Sequence, residues 1–305
     1  MYNDIIVKMG KYPKVNGDPE VIKDGNIYRG FHTSPNIIAL QGCIASSTST
    51  NGIDWKPVNA GLNRYGFGTV LIGIKGGWDE QLETAFCFKH NDLYLLYYCG
   101  YPKIGWPTNP GQIGLALSYD GVKFKRYQNK PIITNGDYDS NGLYSPSIIF
   151  HNNKFFMVYC GHCYSSTTVI PGIRLLHAVS ENGIHWEKLG PLIWENAEIS
   201  WLKDGCGEPH IFLYENKYYL LITGNLGGED KRCIGIARSD SPYGPYEIKL
   251  DPIIVAKPNT FNKDGVLAPS IIIENNIMKV WYLTSDLTKE EHMIGYTEIS
   301  WPINW

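Results

Sequence analysis

Apolar and polar residues alternate along this chain in short bursts, and one burst returns five times. Each copy is an apolar run, a polar turn and an aromatic-rich run. The copies are PEVIKDGNIYRGFHTS, AFCFKHNDLYLLYYCG, PSIIFHNNKFFMVYCG, PHIFLYENKYYLLITG and PSIIIENNIMKVWYLTS. Runs of this length bounded by turn residues read as strands, so each copy predicts a hairpin of two buried strands. A third strand follows at GQIGLALS, GIRLLHAVS and CIGIARS, and a fourth is expected at KPII, GPLI and DPIIV. Between them sits a recurring turn: Ser49-Thr-Asn-Gly-Ile-Asp-Trp55, Ser118-Tyr-Asp-Gly-Val-Lys-Phe124 and Ser180-Glu-Asn-Gly-Ile-His-Trp186. A variant follows at Ser239-Asp-Ser-Pro-Tyr-Gly-Pro-Tyr246, with a degenerate copy near Thr297–Trp301. Asn-Gly or Asp-Gly between apolar runs predicts a tight hairpin whose two central residues both have φ > 0. The aromatic that closes the motif is expected to pack between neighbouring units.

Starts spaced by about 60 residues are blade-sized. Four strands repeated five times predict an all-β, five-bladed β-propeller of four-stranded antiparallel blades, forming a single domain over 1–305. The last unit runs out at Trp305 before its fourth strand, whereas Ile5–Val15 is an apolar run without a unit. Pairing of this N-terminal strand with the last blade is expected to close the ring.

Composition narrows the partners. A formal net charge of −3 with no long run of one sign argues against nucleic acid or an anionic membrane, both of which want a concentrated basic face. The apolar stretches are strand-sized and too short to span a bilayer. The opening MYNDIIVKMGKYPKV lacks the apolar core and small-residue cleavage site of a secretory signal. Read as complete, the chain is expected in the cytoplasm. Seven scattered cysteines, an odd number, fit structural thiols better than a disulfide framework. Cys160-Gly-His-Cys163 has the spacing of half a zinc or redox site but has no second pair, so neither metal nor cofactor is expected.

In an antiparallel blade, the start of the innermost strand and the end of the next lie on one face of the ring. Five strand openings therefore converge on the channel mouth: Gly17-Asp18-Pro19, Glu83-Thr84-Ala85, Tyr144-Ser145-Pro146, Gly207-Glu208-Pro209 and Leu267-Ala268-Pro269. Three carry a carboxylate, Asp18, Glu83 and Glu208. Carboxylates crowded into a narrow channel push one another's pKa values apart, as acid–base chemistry requires. The ends of the second strands bring His32, Tyr101, His162, Asn225 and Asp286 to the same face. Asp79, Asp204 and Asp264 precede innermost strands and are further candidates. Trp78, Trp106 and Trp201 fall in the same loops, where exposed rings would stack on a sugar, and His210 shares a strand with Glu208.

The repeat, the Asp-Pro opening and Ser-x-Ser-Pro-x-Gly-Pro-aromatic in the fourth unit resemble the five-bladed propeller glycosidases, the superfamily of glycoside hydrolase families 43, 32, 62 and 130. The resemblance covers essentially the whole chain. It implies a glycoside hydrolase acting on a small carbohydrate, a short oligosaccharide or glycoside, with Asp18 as general base and Glu208 as general acid. Glu208 lies directly before Pro209, one residue off the family-43 spacing. That family's third acid, an Asp that tunes the general acid, is replaced by Phe86 or Ser147, and Glu83 or Asp79 is the expected substitute. Trp78-Asp-Glu-Gln-Leu-Glu83 also resembles the second-blade opening of family 32-like and 130-like propellers. Two other readings stay open: a sugar-binding propeller without catalysis, and a phosphorylase or transglycosylase. A phosphorylase would need basic residues at the mouth, for which Lys103 and Arg232 are candidates.

Overall fold

The computed structural model describes residues 4–9, 16–36, 41–102, 110–193, 196, 198–225, 231–286 and 291–305. Five antiparallel sheets follow one another along the chain as five blades. Blade one comprises Gly17–Asp24, Ile27–Asn36, Gln41–Ser49 and Lys56–Pro57, with Thr69–Leu71 also pairing on the third strand. Blade two holds Gln81–His90, Leu93–Tyr101, Gln112–Ser118 and Lys125–Arg126. Blade three holds Gly142–His151, Lys154–Cys163, Gly172–Ser180 and Glu187–Ile193. Blade four holds Cys206–Tyr214, Lys217–Gly224, Cys233–Ser239 and Glu247–Ile248, and blade five Val266–Glu274, Ile277–Asp286 and Glu291–Ser300. The fourth strand of blade five is Ile5–Val7, whose partners are Ile294, Gly295 and Tyr296. The predicted closure is therefore present, and residues 10–15 of the expected closing segment lie outside the described residues. Among the described residues no helix is long and apolar enough to cross a membrane.

The fourth strands differ from the expected ones. GPLI ends a true strand, but KPII and DPIIV contribute only single bridges, Ile113 to Ile133 and Ile234 to Ile254. The strands proper are the shorter pieces 125–126 and 247–248. Pro131 and Pro252 carry no N–H to extend the ladder.

The recurring turn also has a different geometry from the one predicted. Only its glycine has positive φ (Gly52 +80°, Gly121 +67°, Gly183 +71°). The preceding Asn or Asp instead caps the loop with its side chain. Asn51 Oδ1 accepts from the N–H groups of Ile53 and Asp54, and Asp120 and Asn182 repeat this. Such side-chain mimicry of a turn is why Asx residues are favoured there. The glycine carbonyl then accepts a bond from the second strand of the preceding blade. Trp281 donates to Gly52, Arg29 to Gly121 and Tyr97 to Gly183, at 2.8, 3.2 and 2.8 Å. The repeated motif is thus a clasp between blades.

A second repeated feature shapes the channel. All five innermost strands slip register at the same place, between Gly17 and Glu20, Glu83 and Phe86, Tyr144 and Ser147, Gly207 and His210, and Leu267 and Ser270. Each bulge puts one residue in left-handed conformation: Asp18, Thr84, Ser145, Glu208 and Ala268, with φ between 47° and 50°. In four of the five the next residue is proline, which fits a bulge because the ladder needs no N–H there.

Candidate active site

The five left-handed residues ring the channel mouth. Above them a cavity of about 430 Å³ is lined by the three carboxylates together with Thr84, Tyr144, Ser145, Cys160, His162, Ile173, Arg232 and His292. That volume suits a sugar-sized ligand. Below them the channel narrows to a space of about 30 Å³, enough for a water-sized molecule.

Asp18 and Glu208 sit in the same local cassette. Each occupies a bulge between a glycine and a proline, and each has a threonine fifteen residues later on the paired strand. Thr33 Oγ1 donates to Asp18 Oδ2 at 2.8 Å and accepts the Thr84 N–H at 3.1 Å. Thr223 is the hydrogen-bond partner of Glu208, and its Oγ1 accepts the Ala268 N–H at 3.0 Å. The same Ala268 N–H also reaches Glu208 Oε2 at 3.1 Å. Each threonine thus serves the acid of its own blade and a bulge N–H of the next.

Electrostatics separate the three acids. Burial raises the Asp18 carboxyl, opposed by the Thr33 hydroxyl, His292 and the Thr84 backbone. Burial and the neighbouring Asp18 push Glu208 up to about 7, with Arg232 pulling the other way. Glu83 is pushed to about 8 by burial and by Asp18, although Tyr101 donates to its Oε2 at 2.9 Å. Near neutral pH one group can therefore hold a proton while another has released it. Glu83 reaches the cavity from one position before the bulge, level with Gly17 and Gly207. Thr84 is the true fifth member of the ring.

The other expected residues divide. Tyr101 touches Glu83. His162 lines the cavity, its ring 4.8 Å from that of Tyr144 and its Nδ1 2.8 Å from the Tyr164 hydroxyl, and burial lowers its pKa to about 4. His32 is fully buried, does not line the cavity, and has no hydrogen-bond partner for either ring nitrogen among the described residues. Asn225 belongs to a neighbouring cleft with Ser200, Trp201, Lys231 and Arg232. Asp204 and Asp264 stand away from the cavity, each 4.0 Å from an adjacent lysine. His210 lies buried below the mouth, beside Glu20. The side chain of Asp286, and Lys103 and Trp106, lie outside the described residues.

Asp79, Trp78 and Trp201 are structural rather than exposed. Asp79 Oδ2 accepts from Arg126 Nε at 2.6 Å and from the Tyr98 hydroxyl at 3.0 Å, fully buried. Asp139 repeats this in blade three with Lys188 and Tyr159 at 2.6 and 3.1 Å. A carboxylate before the innermost strand thus braces the second and fourth strands of its blade. Trp78 stacks on Tyr98 at 6.0 Å. Trp201 is buried, donating to the carbonyls of Lys249 and Leu250. Sequence reasoning missed Thr33, Thr223, His292 and Glu20; the shared fifteen-residue spacing from acid to threonine would have found the first two. Cys160 faces the cavity and Cys163 is buried away from it, and all seven cysteines are buried with none in a disulfide.

The ring of bulges, the acidic mouth and the closed five-blade circle define a five-bladed β-propeller with a buried acidic site at one end of its channel. Residues 84–241, more than half of the chain, match the family model of the glycosyl hydrolases family 32 N-terminal domain, and the chain belongs to that family. A β-1,2-mannobiose phosphorylase of Thermoanaerobacter sp. is 29% identical over 121 residues, 35% of this chain and 39% of that protein. A sucrose-6-phosphate hydrolase of Escherichia coli is 28% identical over 153 residues, 44% of this chain and 31% of that protein. The matched stretch therefore spans well under half of either relative's length. Among solved structures, a thermostable family-43 glycoside hydrolase superposes with a TM-score of 0.74 at 18% identity, covering 95% of this chain and 91% of that one.

Proposed function

We propose that the protein is a glycoside hydrolase, its propeller acting as one domain over 1–305, that cleaves a short oligosaccharide or glycoside at the channel mouth. The observation that carries this reading is the pair of identical cassettes holding Asp18 and Glu208. Two buried acids are held at equivalent bulges on blades one and four, and Glu208 is raised to about 7. Glu208 gives its proton to the glycosidic oxygen as that bond breaks. A water attacks the anomeric carbon of the oxocarbenium-like centre, and Asp18 takes the water's proton. This route inverts the anomeric centre and requires the carboxyls roughly 6.5–9.5 Å apart. Glu83, protonated near neutrality, keeps negative charge low beside Glu208 and is the substitute for the missing tuning acid. His162 and Arg232 form part of the wall against which the sugar rests, and Tyr101 holds Glu83 from behind. Seven cysteines, none of them in a disulfide, favour a reducing compartment, and we place the enzyme in the cytoplasm, where small substrates are available.

One observation favours a second reading. Arg232 and His292 stand on the cavity wall beside the acids. A phosphate held there could replace the attacking water, giving a glycosyl phosphate, which is the kind of reaction named for the Thermoanaerobacter relative. The deciding experiment incubates wild type and Glu208→Gln with aryl glycosides and short oligosaccharides, with and without inorganic phosphate. Proton and phosphorus NMR follow the products. Phosphate-independent release of a free sugar, lost in the variant, supports hydrolysis, and glycosyl phosphate appearing only with phosphate supports phosphorolysis. Binding without turnover in either condition overturns both in favour of a sugar-binding propeller.

A further inference from the structure

Two residues beyond the bulge ring, each innermost strand places a second layer in the channel: Glu20, Phe86, Ser147, His210 and Ser270, all of them buried. The two serines do the same local work. Ser147 Oγ accepts the Ile211 N–H and Ser270 Oγ accepts the Val21 N–H, both at 2.9 Å, each joining an innermost strand to that of the next blade. Glu20 goes further. Its Oε2 accepts from Ser270 Oγ at 3.1 Å and lies 3.6 Å from His210 Nδ1, within ion-pair range. The link thus runs from blade one across blade five to blade four.

Those outer two blades carry Asp18 and Glu208. Asp18 and Glu20 are separated only by Pro19, and Glu208 and His210 only by Pro209, whose rings fix the intervening φ. We infer that Glu20, Ser270 and His210 form a strut across the channel that sets the spacing of Asp18 and Glu208, making Glu20 and His210 positioning residues. This rests on the reading of those two acids as the reacting pair. A stability role alone accounts poorly for the arrangement, because a buried polar or charged pair is commonly replaceable by apolar residues without loss of stability. Catalytic geometry is less forgiving: a misplacement of about 1 Å can cost on the order of 100-fold in rate.

The test compares Glu20→Ala, Glu20→Gln, His210→Ala and Ser147→Ala with wild type in the full chain, each checked for cooperative melting. Glu20→Gln keeps an acceptor for Ser270 while removing the charge, and Ser147→Ala loosens the matching bond between blades three and four without touching the strut. Two readouts are taken: steady-state kinetics on whichever glycoside the wild type cleaves, and carbon-13 NMR titration of the Asp18 and Glu208 carboxyls. The strut predicts that Glu20→Ala and His210→Ala each lower kcat by about 10- to 100-fold with KM changed less than about threefold. It also predicts that both move the two carboxyl midpoints by about half a pH unit or more. Glu20→Gln should restore most of both, and Ser147→Ala should move neither. Wild-type midpoints in both Glu20→Ala and His210→Ala, or equal effects in Ser147→Ala, overturn it. If the wild type cleaves no glycoside, the functional reading fails by itself, and the titrations still decide the strut. If Glu20→Ala does not fold, His210→Ala decides it from the other end.

Discussion

At the scale of single residues, the mouth works against the usual behaviour of carboxylates. Glu208 titrates near 7 in the fold, against an ordinary 4.5, because it is buried beside Asp18. Between these values the unfolded chain has released a proton that the folded chain still holds, so this group lowers stability as pH rises from 4.5 to 7. Replacement by Gln removes the penalty. Glu208→Gln is expected to lose about 10²–10⁴-fold in turnover, yet to gain about 1–3 kcal/mol over wild type at pH 8 relative to pH 4.5. Paired urea melts at the two pH values check the second half; an unchanged difference would refute the burial argument. Wild-type kcat/KM should fall as pH rises through about 7, the range in which Glu208 gives up its proton. Thr33→Val tests the cassette from its other side. It removes the donor to Asp18 and the acceptor of the Thr84 N–H, so Asp18 should titrate higher and the acid limb of the rate profile should move to higher pH. Stability should drop by about 1–3 kcal/mol, the cost of stranding a buried partner. A rate profile superimposable on the wild type would sink this account.

At the scale of the element, the unit of this fold is a blade plus the clasp it offers its neighbour. Gly183 shows why the repeat keeps a glycine. Its φ is +71°, and an added Cβ would stand 2.8 Å from the Tyr97 hydroxyl of the preceding blade. Gly183→Ala should cost more than Tyr97→Phe, about 2 kcal/mol or more against about 1, because it adds left-handed strain and a clash to the lost bond. The double variant should fall short of the sum, since both changes break one contact; strict additivity in denaturant unfolding would argue against the clasp. This motif, the five hairpins and the closing strand were legible in the sequence because each is local and repeated. The bulge ring was only half legible. Proline marks it in four blades, but blade two has Ala85, and the extra bulge residue hid whether Glu83 or Thr84 belonged to the ring. Asp79 and Trp78 misled for a different reason. A loop that reads as solvent-facing is folded against Tyr98 and Arg126, and no local pattern records that long-range burial. The layer holding Glu20 and His210 escaped because alternation along a strand predicts a face, not what stands across a channel.

At the scale of the whole molecule, ring integrity depends on contacts that titrate, and their signs can be summed. Asp24, at the end of the first innermost strand, meets Lys89, Tyr94 and Arg29; across the closing junction, Glu274 meets Lys23, Tyr28 and Lys279. Each is the same lock, a carboxylate gripped by a lysine and a tyrosine of the next blade. Although partial burial opposes it, these partners hold both carboxyls at about 2. A depressed carboxyl contributes stability above its unfolded value that is lost as pH falls, so both locks weaken between roughly pH 4.5 and 2. Burial lowers His32 and His162 to about 4, so they also lose stability as pH falls, from 6.5 down to 4. Between pH 4.5 and 6.5 the histidines oppose the buried acids Glu208, Glu83, Asp18 and Glu20, all of them raised, and above about 6.5 the histidines no longer contribute. The melting temperature should therefore fall steeply below about pH 4.5, change less between there and about 6.5 where the signs oppose, and decline toward pH 8. Because one lock sits on the closing junction, the Glu274→Gln variant should flatten part of the acid fall, whereas Glu208→Gln should leave the acid fall and remove the loss of stability that Glu208 contributes between about pH 4.5 and 7. Calorimetric scans of the three proteins from pH 3 to pH 8 decide it. Acid limbs that coincide in all three would show that the ring is held at low pH by packing alone.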